Sequence, residues 1–114
     1  MNQDELKKRM KAFALRVVKM VDALPQKRSA DVMGRQLLRS STSVAMNYRA
    51  ACRARSQAEF IAKMGIVEEE ADESHGWIEF ITDAGLISRK RVESLLKEAD
   101  ELTAITVASI KTAA

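Results

Sequence analysis

The amino-acid sequence predicts an all-α fold, an antiparallel up-down-up-down four-helix bundle. Three observations predict it. The 114 residues include one Pro and four Gly, too few to turn the many short strands of a sandwich or barrel. Apolar residues recur at steps of three and four along four successive stretches. The stretches are joined by short turns, the connection that makes consecutive helices antiparallel neighbours. At this length, residues 1–114 are expected to form a single domain around one core.

The first helix opens near Asp4 and Glu5, whose charges suit a positive N-terminal end, and carries Leu6, Met10, Phe13, Val17, Met20, Val21 and Leu24 on one stripe. Pro25 ends it, and Gln26-Lys27-Arg28 reads as a connection. Ser29 is the expected N-cap of a second helix over about Ala30–Ala54, with Asp31 in its first turn. Met33, Leu37, Leu38, Ser41, Val44, Ala45, Tyr48, Ala51 and Cys52 share its broad apolar face. Opposite them lies a narrow row of Arg35, Arg39, Thr42, Met46, Arg49 and Arg53. The hydroxyl-rich stretch Ser40-Ser41-Thr42-Ser43 competes for backbone hydrogen bonds and is the expected place for a bend.

Ser56-Gln57-Ala58-Glu59 fits a capping box and starts a third helix with the spine Phe60, Met64, Val67, Ala71, Ser74 and Ile78. A second stripe follows Ala62, Ile66, Glu73, Trp77, Phe80 and Ala84. Either this helix is central in its own bundle, or Ile66, Glu70, Glu73, Trp77 and Phe80 form a contact with another subunit. Gly85 closes the helix in the left-handed position, and Leu86 and Ile87 pack back over its end. Ser88 then caps a fourth helix through Val92, Leu95, Leu96, Ala99 and Leu102, although Arg89-Lys90-Arg91 opposes its dipole.

The net charge of +3 hides an asymmetry. Residues 1–57 hold 13 Lys and Arg against 4 Asp and Glu, a net +9, and residues 58–114 hold 6 against 12, a net −6. The plainer reading sets a basic helix pair beside an acidic one in the same or a neighbouring subunit. The sharper reading makes the basic half a footprint for nucleic acid, with Arg35, Arg39, Arg49 and Arg53 as its phosphate contacts. The same arginines could instead pair with Glu70, Glu73 and Glu79. Asn47, at the edge of the apolar face, is expected to fix the bend or a helix–helix contact, and Tyr48 to have a structural role.

No catalytic constellation stands out. Asp72-Glu73-Ser74-His75 resembles half of a di-metal template, but that template needs two His and the chain has one. Cys52 has no His or second Cys near it and reads as a small buried thiol. No phosphate loop or nucleophile elbow occurs, so neither an enzyme nor a cofactor or metal is expected. A single Cys, no basic-then-apolar leader and no uncharged run long enough for a membrane span point to a cytoplasmic protein without a membrane partner.

At Arg35-Gln36-Leu37-Leu38-Arg39-Ser40, Thr42-Ser43-Val44, Asn47-Tyr48-Arg49-Ala50-Ala51 and Glu59-Phe60-Ile61-Ala62-Lys63, the sequence resembles a bacterial four-helix-bundle family. These are the small proteins encoded by intervening sequences in 23S ribosomal RNA genes and by many ordinary chromosomal loci. Ile66-Val67-Glu68-Glu69-Glu70-Ala71-Asp72-Glu73, then Trp77, Glu79 and Ala84-Gly85-Leu86-Ile87, continue the resemblance, which runs from about Leu24 to Ile87 and by segment order over nearly the whole chain. The sequence departs from the family pattern at Ser41 and Ala45-Met46, where small residues or a Pro are common, and at Ser74-His75-Gly76. The resemblance implies an antiparallel four-helix bundle assembled as a ring-shaped homopentamer, with no established catalytic activity. It also implies a relationship to the accessory variability determinant proteins of diversity-generating retroelements, whose basic surface engages a reverse transcriptase and nucleic acid. RNA or DNA is therefore the leading partner expectation, and a protein partner for a structural scaffold is the alternative.

Overall fold

The computed structural model describes residues 1–114 as four helices: α1 (Gln3–Asp22), α2 (Arg28–Cys52), α3 (Gln57–Asp83) and α4 (Arg89–Ala113). Each helix packs on its neighbours in sequence, α1 also meets α4, and the backbones of the diagonal pairs stay apart. The α2–α3 and α3–α4 seams are the most extensive and α1–α4 the least. Cross-helix bonds run antiparallel, Arg9 lying against Glu98 and Glu101 and Arg16 against Ser94. The result is an up-down-up-down bundle 44 Å long.

One interior stripe from each helix fills the core. Met10, Phe13 and Val17 of α1 meet Leu37 and Val44 of α2, Met64, Val67, Ala71 and Ile78 of α3, and Ala99 and Leu102 of α4, all almost wholly removed from solvent. Phe60 and Met33, expected on these stripes, are only partly buried at their edges. Two polar positions are enclosed as well. The hydroxyls of Ser40 and Ser74 lie 2.8 Å apart across the α2–α3 seam, and each also faces a carbonyl of its own helix, so neither is stranded.

The helix ends correct two expectations. Ser29 does not cap α2. The Lys27 amide bonds the Pro25 carbonyl at 2.9 Å, closing the turn at once, so Lys27 becomes the N-cap and Arg28 is already helical. The capping box of α3 forms with a shift of one residue: Ser56 accepts from the Glu59 amide, while the Glu59 carboxylate accepts from the Arg55 amide instead of that of Ser56. The C-terminal closure matches the sequence reading in full. Gly85 has φ 76°, and the Leu86 and Gly85 amides bond the Ile81 and Thr82 carbonyls, the Schellman pattern. Ser88 occupies the N-cap position of α4 without a side-chain bond to it.

In the hydroxyl-rich stretch, α2 is continuous. Ser40, Ser41 and Thr42 donate back to carbonyls of their own helix three or four residues earlier, which absorbs their hydrogen bonds without ending it. Gly34 brings α2 against the end of α1, since a Cβ there would stand 2.9 Å from a Val21 methyl.

The thin α1–α4 seam is closed by charge. Arg9 holds Glu98 with two hydrogen bonds of 2.8 and 2.6 Å and reaches Glu101 at 2.6 Å. These bonds hold the Glu98 carboxyl below the usual carboxylate range, against burial that pushes it up. A carboxyl lowered on folding stabilises the protein above its unfolded pKa of about 4.3, and that stability is lost as pH falls through the lower folded value. Denaturant unfolding followed from about pH 6 to about pH 3 should therefore show a falling acid limb, and Glu98→Gln should make it shallower.

Candidate nucleic-acid interface

The four arginines of the α2 row do not act together. Arg35 pairs with Asp31 one turn earlier at 3.0 Å, an exposed contact. Arg39 crosses to α3, where it hydrogen-bonds Glu70 at 2.8 Å and also pairs with Glu73. Glu73 in turn accepts from the Trp77 indole at 3.4 Å. Burial pushes the Glu70 carboxyl up, but hydrogen bonds from Arg39 and Ser43 and the charge of Arg39 outweigh it, so the group stays below its ordinary value. The upper half of the row is thus largely neutralised. Arg39→Ala would leave Glu70 without its cation, and should cost about 1 kcal/mol in urea unfolding, since the arginine is half exposed and such pairs contribute little more.

Arg49 and Arg53 have no carboxylate within ion-pair distance. They form one wall of an open groove of about 650 Å³ between α1 and α2, and Lys7, Lys8 and Lys11 form the other. Antiparallel packing makes this juxtaposition, because it sets the start of α1 beside the end of α2. The five cations face each other with no acidic residue in the lining, and Lys7 alone among them has a carboxylate near it, Asp4 of its own helix at 4.0 Å. Past Met46, Arg49 and Arg53 a shallower surface continues to Arg55 and Lys63, where the one carboxylate, Glu59, is engaged by the Arg55 amide.

The other seams are bonded differently. Ion pairs join α1 to α4 and α2 to α3, and His75 of α3 sits 3.4 Å from Asp100 of α4. Neither an ion pair nor a side-chain hydrogen bond joins α1 to α2. Like charges held across a packed seam repel, so this surface is arranged against its own stability and suited to an anion. The lysines of α1 were absent from the sequence-based site, although Lys7 and Lys11, one turn apart, already lie on one edge of α1.

The remaining candidates are placed as follows. Asn47 donates to the Ser43 carbonyl and hydroxyl at 3.0 and 2.8 Å, so its bonds stay within α2 and make no helix–helix contact. Tyr48 is buried, and that burial, with Cys52 beside it, pushes its phenol up. Ile66 and Phe80 are exposed on α3, whereas Trp77 is partly buried and packs against the edge of the core. Phe80 is 59% exposed and packs its ring 5.8 Å from that of Trp77. The second stripe thus serves the bundle in part, through Trp77, and faces outward at Ile66 and Phe80. No group of three or more His, Cys, Asp or Glu is placed to hold a metal ion, and no helix is long and apolar enough to cross a membrane.

A family profile described as 23S rRNA-intervening sequence protein matches residues 2–108. Among solved structures, the chain is similar to a crystal structure from Bacteroides thetaiotaomicron described as a protein with unknown function from the S23 ribosomal protein family. The TM-score is 0.89 and the identity 33%, over 97% of this chain and 99% of that one. No curated protein matches.

Proposed function

We propose a function from the premise that the chain belongs to the 23S rRNA-intervening sequence protein family: a non-enzymatic protein that binds RNA or DNA through the α1–α2 groove. One observation carries this reading. Lys7, Lys8, Lys11, Arg49 and Arg53 converge on one groove whose lining holds no carboxylate, in a chain whose α1–α4 and α2–α3 seams carry ion pairs. Arg35 and Arg39 belong to the framework, not to this surface.

Counterion release supplies the test. Binding of RNA, offered both as a single strand and as a duplex and followed by fluorescence anisotropy, should weaken steeply with salt, with a log–log slope near −0.9 per phosphate contacted in duplex and −0.7 in single strands. Binding that is undetectable, or flat in salt, would refute the reading.

A second reading concerns assembly and rests on a different face. Val32 is 55% exposed on α2, and the register that sets Arg39 against Glu70 and Glu73 places it level with Trp77 and Phe80. Exposed aromatic and aliphatic side chains rimmed by charge suit a subunit contact, and a homo-oligomer, in the expected case a pentamer, would cover them. Sedimentation equilibrium should report an oligomer that Phe80→Lys dissociates; a monomeric parent protein at micromolar concentration rejects this assembly.

A further inference from the structure

Resting on the nucleic-acid reading above, we infer that the α1–α2 groove takes a single strand: an unpaired segment of RNA or DNA with its phosphates on the cations and its sugars and bases against the apolar lining. That lining is the reason. Beside the cations it is made by Ala14, Leu15, Val18, Ala45 and Met46, with Leu15 55% and Met46 61% exposed. Phosphate contact alone gives these side chains no partner. Ordinarily the faces of bases in a duplex are stacked away inside it, whereas unpaired nucleotides present apolar faces that an aliphatic surface can cover.

Width leads to the same occupant. Packed neighbouring helices lie about 8–10 Å apart, axis to axis, so the trough between their side chains is narrower still. The major groove of a double helix alone is about 12 Å wide, so a whole duplex is too broad to enter the trough. A single strand is slender enough to enter. The walls also match in length: Lys7 to Val18 on α1 and Thr42 to Arg53 on α2 each span about 16 Å at 1.5 Å per residue, room for a few nucleotides.

The groove contains no aromatic side chain. Phe13 and Tyr48 are buried, Phe60 is partly buried, and Trp77 and Phe80 stand on α3. Stacking on an aromatic ring is therefore not available here, and little preference among bases is expected.

Labelled uridine homopolymer and a duplex of the same length, titrated across a salt series, separate the possibilities. The single strand should bind more tightly than the duplex, with a slope up to about −3.5 if all five cations find phosphates. Met46→Gln and Leu15→Gln alter exposed side chains and should leave folding intact. Each should weaken the single strand roughly threefold to tenfold at every salt concentration without changing the slope. Equal or tighter binding of the duplex, or Gln variants without effect, would overturn the single-strand inference and leave nucleic-acid binding standing. Absence of salt-dependent binding to either probe, or equally strong competition by polyglutamate, would overturn both, the latter assigning the groove to an acidic protein segment.

Discussion

Reversing two charges, Arg49→Glu with Arg53→Glu, should lower nucleic-acid affinity by about a hundredfold or more while leaving thermal stability unchanged or raised. Both halves follow from the groove. Two phosphate contacts are lost, which flattens the salt slope by about 1.4–1.8, and two carboxylates then repel the remaining backbone. In the free protein the same carboxylates face Lys7, Lys8 and Lys11 across the α1–α2 groove, so repulsion becomes attraction. Surface pairs of this kind contribute at most about 1 kcal/mol, so the gain in stability is small, but its sign is diagnostic. A scaffold whose arginines serve internal ion pairs would lose stability instead. Anisotropy titrations and thermal melts on the same preparation read the two effects together.

Replacing Phe13 with Ala should have the largest effect on folding. Phe13 is fully enclosed in the middle of α1, among core side chains from the other helices. Removing the ring forfeits its transfer from water and leaves a cavity that packed helices close only in part, a cost of about 3–5 kcal/mol. For a domain of this size that corresponds to a fall of roughly 10–25 °C in melting temperature. A drop of only a few degrees in a calorimetric scan would mean that the helices collapse onto the gap.

The four helices were legible because each carries its apolar residues at the helical period, and Gly85 marks a chain reversal by chemistry that few residues share. Ser29 misled because a hydroxyl before an apolar run is a statistical cap, whereas the turn at Pro25–Lys27 set the helix start through the backbone. The arginine row was legible as a row and not as a site. Its division depends on Glu70 and Glu73, more than thirty positions away, and on where the antiparallel register puts them. Lys7, Lys8 and Lys11 were likewise visible residues whose meaning lies in their distance from Arg49 and Arg53, which no local pattern contains. The same limit hid Gly34, an isolated glycine in the sequence and a point of contact between α1 and α2 in the fold.

The seam that lacks polar bonds has a thermodynamic consequence. Helix α1 meets α4 along the least extensive seam of the bundle and meets α2 beneath a row of mutually repelling cations. A polyanion lying across both walls would act as a missing tie, so that occupancy and folding become linked equilibria. At free ligand one hundred times its dissociation constant, such a protein gains about 2.7 kcal/mol. Amide protons of α1 would then exchange at a rate set by the nucleic acid around the protein as much as by the protein itself.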